Sequence, residues 1–87
     1  MPVIRIDPHT AARALERGTN EQEIQDVLAT GVAIPARGSR VAKAKVFAYN
    51  SMWNGRFYAE KWVEVIYVVQ GDDLVTVTVY VFFGSWR

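Results

Sequence analysis

The chain has 87 residues, no cysteine, and ten Lys and Arg against nine Asp and Glu, for a formal net charge of +1. That length supports one small domain over residues 1–87, with room for a single modest core. The composition excludes a disulfide framework and a cysteine zinc cluster, fits a reducing, cytoplasmic setting, and supplies no bulk charge that would force a polyanion partner.

The N-terminus reads Met-Pro-Val-Ile-Arg-Ile-Asp-Pro. It lacks the basic start and long apolar run of a signal peptide, and no stretch is long and apolar enough to span a bilayer. Val3 to Ile6 reads as an edge strand or an arm. Asp7-Pro8 opens a helix, with the carboxylate as cap and proline in the first turn. That helix is expected over Pro8 to Arg17 with Gly18 past its end, and Ala11, Ala14 and Leu15 as its apolar stripe. His9, Arg13 and Arg17 recur every four residues and line one side of it.

Asn20 followed by Glu23 resembles a capping box. A second helix is expected over Glu21 to Thr30, stopped by Gly31, burying Ile24, Val27 and Leu28 and turning Glu21, Gln25 and Asp26 outward. Val32 to Arg40 contains Pro35, Gly38 and Ser39 and reads as extended and interrupted. In the ambiguous stretch after it, a strand is expected over Lys45 to Tyr49. Asn50 to Arg56 reads as a wide turn around Asn54-Gly55.

Phe57 to Phe83 is dominated by β-branched and aromatic residues, broken by Gly71-Asp72-Asp73. That is a long antiparallel hairpin. A three-residue loop sets Gln70 opposite Leu74. One face then holds Val63, Val65, Tyr67 and Val69 with Val75, Val77, Val79 and Val81. The other face holds Trp62, Glu64, Ile66 and Val68 with Thr76, Thr78, Tyr80 and Phe82. The valine face is expected to be the core. The sum is an α+β domain: two N-terminal helices packed on a three- to four-stranded antiparallel sheet.

His9-x3-Arg13-x3-Arg17-Gly18, a following helix that opens Glu-x-Glu, and a last strand reading Val-Thr-Val-Tyr together resemble the small proteins grouped as domain of unknown function 4258. These are thought akin to the RelE-like and BrnT-like toxin superfamily. The resemblance spans the two helices well and the final hairpin loosely. It implies a RelE-like fold, messenger RNA cleavage at the ribosome, and an antitoxin partner. The family's histidine and two arginines fall on His9, Arg13 and Arg17, its closing glycine on Gly18, and its strand threonine and tyrosine on Thr78 and Tyr80.

Cleavage of RNA through the 2′-hydroxyl needs a base, an acid and a cation near the phosphate, and no metal or other cofactor. His9 suits base or acid, since its ordinary pKa lies near neutrality. Arg13 and Arg17 suit a phosphate clamp. Tyr80 and Glu64, opposite one another in the expected register, suit the second proton-transfer or charge-stabilising role; Lys61 is the weaker candidate because it points to the other face. Each has a plain structural reading too: His9 at a helix surface, the arginines paired with Glu16, Glu21 or Glu23, and Tyr80 packed on its strand.

Arg37, Arg40, Lys43 and Lys45 fall within nine residues that contain no acid. They could follow an RNA backbone, with Tyr49, Trp53 and Tyr58 as stacking partners. One histidine and no cysteine leave no metal-binding set.

A different class of function stays open, a non-enzymatic interaction module. Trp62, Ile66, Val68, Tyr80 and Phe82 would lie on the sheet face away from the helices. That face is too apolar for water without a partner, such as a second copy of the chain, or an overlay by Met52-Trp53 and Trp86.

Overall fold

A computed structural model describes residues Val3 to Trp86. The elements run β1 (Ile4–Arg5), α1 (Pro8–Arg17), α2 (Glu21–Thr30), β2 (Val32–Ile34), β3 (Val41–Trp53), β4 (Arg56–Gln70) and β5 (Asp73–Gly84). The strands form one sheet in the order β1-β5-β4-β3-β2. Both helices pack on one face of it, and the other face is open.

Each helix is bounded by its own local chemistry. The Asp7 carboxylate accepts from the His9 backbone N–H, and Pro8 takes the first turn. Gly18 ends α1 in the left-handed region at φ +91°, a conformation that glycine adopts without strain. The Asn20 side chain accepts from Glu23 N–H and caps α2. The reciprocal half of a capping box is missing, because the Glu23 carboxylate turns instead to the Thr19 hydroxyl and the Lys61 ammonium.

The sheet differs from the expected one in strand number, in extent and in register. It has five strands, because β1 pairs in parallel with the start of β5 and β2 adds a second edge. β3 starts at Val41 and ends at Trp53, well beyond the expected Lys45 to Tyr49. Its pairing with β4 continues past an irregularity between Ala48 and Ser51, where Asn50 has φ +46°. The wide turn thereby shrinks to Asn54-Gly55, both at positive φ (50° and 80°), as a tight two-residue hairpin turn requires.

The β4–β5 register is the expected one from Glu60↔Gly84 to Ile66↔Thr78, then shifts by one, to Tyr67↔Thr76 and Gln70↔Asp73. The turn is the two-residue Gly71-Asp72, and Val77 is the extra residue of a β-bulge that reconciles the two registers. So Val79 and Val81 face the helices as expected, but near the turn the parity flips. Thr76 is buried and accepts from the Asp7 N–H, and Leu74 packs against the core, where Val75 and Val77 were expected.

The core joins Ala14 of α1 and Ile24, Val27 and Leu28 of α2 to Val63, Val65, Tyr67 and Val79 of the sheet. Each fully buried valine or isoleucine contributes about 1.5–3 kcal/mol. Tyr67 lies in this layer, and burial raises the pKa of its phenol. Leu15 does not join. It is 74% exposed on the outer side of α1, where it lines a shallow recess with Ala11, Ala12 and the Asn20 to Gln22 corner. Thr10 and Ala14, four residues apart, are the buried positions of α1.

Candidate functional site

The cations of the sequence mostly close the helix side. Directly paired residues on adjacent strands share a face, so Lys43↔Val65 and Lys45↔Val63 place both lysines with the core valines. There Lys43 Nζ donates to the Leu28 carbonyl at 2.9 Å, near the C-terminal end of α2, where a cation is favoured. Lys45 Nζ meets both Asp26 carboxylate oxygens at 2.9 Å and the Thr30 hydroxyl. Its hydrogen bond, and that from Thr30, hold the Asp26 carboxyl below the usual carboxylate range. Asp26 thus looks outward as expected, its side chain 41% exposed, and also ties α2 to β3 through Lys45. Arg37 and Arg40 stay exposed in the β2–β3 loop, and no continuous basic strip joins them to Lys43 and Lys45.

Lys61 is buried against α1 and α2. Its Nζ donates to the Gly18 carbonyl at 2.8 Å and to Glu23 Oε1 at 2.7 Å, and lies 5.4 Å from the Tyr49 ring centroid. Around it Tyr49, Trp53 and Tyr58 gather on Phe83, with Trp53 stacked on it at 4.8 Å. The stack presses on Gly18, whose added Cβ would lie 2.9 Å from Phe83. The aromatics expected as base-stacking partners thus pack around Phe83, and Trp53 does not overlay the open face.

The residues of the histidine–arginine row part company. His9 is exposed, and Arg13 bonds Glu16 at 2.9 Å. Arg17 Nη1 donates to the Val79 carbonyl at 2.6 Å, and its guanidinium lies 5.1 Å from the Tyr80 ring centroid. That carbonyl is on the outer edge of β5, beyond the short cover of β1. Arg17 therefore plugs an open strand edge. His9 is eight residues before it, roughly 12 Å along the helix axis. The structure brings Arg17, Tyr80 and Glu64 to one region, with Glu64 paired to Tyr80 as expected, and leaves His9 and Arg13 outside it.

The open face is ordered in rows across the strands. Val32, Ala44, Glu64 and Tyr80 form one row, and Ile34, Ala42, Ile66 and Thr78 the next. Val46, Trp62 and Phe82 form a third. Ala42 and Ala44 are shaded by their larger neighbours and buried. Their small size leaves a trough between β2 and Trp62, a recess of about 370 Å³ bounded by Val32, Ile34 and Val46. Exposure stays high around it: Val32 72%, Phe82 50%, Tyr80 42% and Trp86 42%.

Trp86 folds back over this face, with its ring centroid 5.8 Å from that of Trp62. Its backbone N–H donates to the buried Glu60 carboxylate at 2.6 Å, which holds Trp86 there. Trp62 Nε1–H donates to Glu64 Oε1 at 2.8 Å. Trp62, Glu64, Phe82 and Trp86 enclose a second, shallower recess of about 320 Å³.

Sequence reasoning found the apolar character of this face from the alternation of β4 and β5. It missed Ile34, Ala42, Ala44 and Val46, because only the pairing of β2 and β3 brings them beside Trp62. Among the described residues no three of His, Cys, Asp or Glu gather as a metal site, and no helix is long and apolar enough to cross a membrane. No protein-family model matches the chain, and neither curated proteins nor solved structures show a match to it.

Proposed function

We propose that the chain is a non-enzymatic interaction module that buries the open face of its sheet against a second protein surface, most simply a second copy of itself. The observation that carries this reading is the run of exposed Val32, Tyr80, Phe82 and Trp86 on a face that neither helix covers. Contiguous apolar patches beyond a few hundred Å² mark contact surfaces on soluble domains, and a stable contact needs about 800 Å² per partner. Sedimentation equilibrium tests it. The wild type is expected to self-associate with rising concentration, and Val32→Asp and Phe82→Asp, at opposite borders of the face, to stay monomeric. A wild type that remains monomeric and retains no protein partner on its open face refutes it.

A second reading is a RelE-like, cytoplasmic, metal-independent endoribonuclease held by an antitoxin, with RNA or the ribosome as target. The placement of the Arg17 guanidinium beside Tyr80, with Glu64 across from it, favours that reading. Its test is RNA cleavage in the presence of chelator by wild type, Tyr80→Phe and Glu64→Gln. Cleavage by the wild type that either substitution abolishes supports it; no cleavage, or equal cleavage by all, refutes it.

A further inference from the structure

We infer that the recess framed by Trp62, Phe82, Trp86 and Glu64 is a binding site for a guanidinium group, presented as an arginine side chain by the surface that the open face contacts. The inference rests on the interaction-module reading and adds the chemistry of the partner. A carboxylate on a mainly apolar surface is poorly solvated and needs a cation or several donors. Glu64 has the Trp62 indole N–H on Oε1, and among the described residues no Lys or Arg forms an ion pair with it. Its neighbour across β3 is Ala44, a methyl group that leaves the space beside the carboxylate open.

The walls are right for a flat cation. Trp62 and Trp86 are tilted by 40° with centroids 5.8 Å apart, too close to admit a group between them, and both line the recess. Phe82 is directly opposite Trp62 on β5 and half-exposed. A cation over an indole face is attracted by the negative face of the ring, and the free lone pairs of Glu64 supply a charged hydrogen bond at the same place. The recess is shallow and open to solvent. A lysine ammonium would keep its strong hydration there, whereas a guanidinium is weakly hydrated and stacks on aromatic faces. The site therefore selects arginine over lysine.

The test is an NMR titration of the isotope-labelled full chain with N-acetyl-arginine-methylamide, and in parallel with its lysine counterpart. It is run where sedimentation finds monomer, or in Val32→Asp, whose change lies outside the recess. The indole N–H signals of Trp62 and Trp86 are expected to shift saturably, and that of Trp53, packed near Gly18 and Phe83 on the helix side, to stay in place. Arginine is expected to bind at least about threefold tighter than lysine, and Glu64→Gln, which keeps an acceptor for the Trp62 indole, to weaken it roughly tenfold. Trp86→Ala is expected to abolish the shift at Trp62. No saturable shift, an equal shift at Trp53, equal affinity for lysine, or an unaffected Glu64→Gln each overturns the inference. A chain that still associates through its open face but ignores arginine loses the guanidinium site alone; one that does neither loses both readings.

Discussion

Replacing Lys61 by methionine keeps the length of the side chain and removes its charge. In the folded chain the Lys61 side chain is 8% exposed and its partner Glu23 22% exposed, with Nζ 2.7 Å from Oε1. The same ammonium satisfies the Gly18 carbonyl at the C-terminal end of α1. Without it, the Glu23 carboxylate keeps only the Thr19 hydroxyl, and the α1 terminus loses its cation. Breaking a buried pair from one side costs about 3–5 kcal/mol. Glu23 retains some access to water, so the lower end applies, about 3 kcal/mol.

A domain of this size has a total stability on the order of 5–10 kcal/mol. At roughly 4–8 °C per kcal/mol, Lys61→Met lowers Tm by roughly 12–24 °C. Urea unfolding followed by circular dichroism reads the loss directly, and an unchanged slope ensures that the states compared are the same. Glu23→Gln is expected to cost less, about 1–3 kcal/mol, since the amide oxygen still accepts. The double variant is expected to be less destabilised than the sum of the singles by about 1–3 kcal/mol. If Lys61→Met costs under about 0.5 kcal/mol, or the two changes simply add, Lys61 is not the clamp between α1, α2 and β4, and the reasoning fails.

Asp26 has a folded pKa held down by Lys45 and Thr30. Its contribution is therefore present above the ordinary carboxylate pKa and lost as pH falls through the depressed value, and Lys45→Met is expected to flatten that acid limb in pH-dependent urea titrations. Thr10 Oγ1 is fully buried without a hydrogen-bond partner. The near-isosteric Thr10→Val is expected to stabilise the chain by about 1 kcal/mol in the same assay, by removing an unrecovered desolvation cost. At Gly18, φ +91° and a Cβ position 3.0 Å from Trp53 predict that Gly18→Ala is strained twice. The expected loss is about 1–3 kcal/mol, with a change in near-ultraviolet circular dichroism as the Trp53–Phe83 stack shifts.

The helices were legible to the residue because their signals are local. Asp7-Pro8, Gly18, Asn20 and Gly31 each act within one turn, and both observed helices run over the expected residues. The sheet was legible only where one face is strongly apolar. From Glu60 to Ile66 the valine parity fixes the register, but nearer the turn Gly71-Asp72 closes a tighter loop and Val77 absorbs the mismatch. β3 was cut short because Val41-Ala-Lys-Ala-Lys has no hydrophobic contrast of its own. Its strand state comes from pairing with β4 and β2, which no local window contains. Leu15 was misplaced for a similar reason. A helix stripe read alone cannot say that α1 packs through small residues, Thr10 and Ala14, close against β5.

The fate of the charged side chains is the strongest argument about function. Lys43, Lys45, Lys61 and Arg17 all bind inside the chain: to a helix-end carbonyl, to Asp26, to Gly18 and Glu23, and to an edge carbonyl of β5. Offering any of these to a phosphate means first breaking a bond that holds a helix to the sheet. For Lys61 alone that costs about 3 kcal/mol by the bookkeeping above, a factor of roughly a hundred in affinity before any phosphate contact is made. Arg37 and Arg40 are free of that cost, but they sit in the β2–β3 loop, away from the region of Arg17, Tyr80 and Glu64. On the open face the balance is reversed: a carboxylate, aromatic rings and aliphatic rows, with no lysine or arginine from these strands in its three central rows. A surface so built repels a polyanion and favours an apolar partner that brings a cation of its own, which is why the interaction reading ranks above the nuclease.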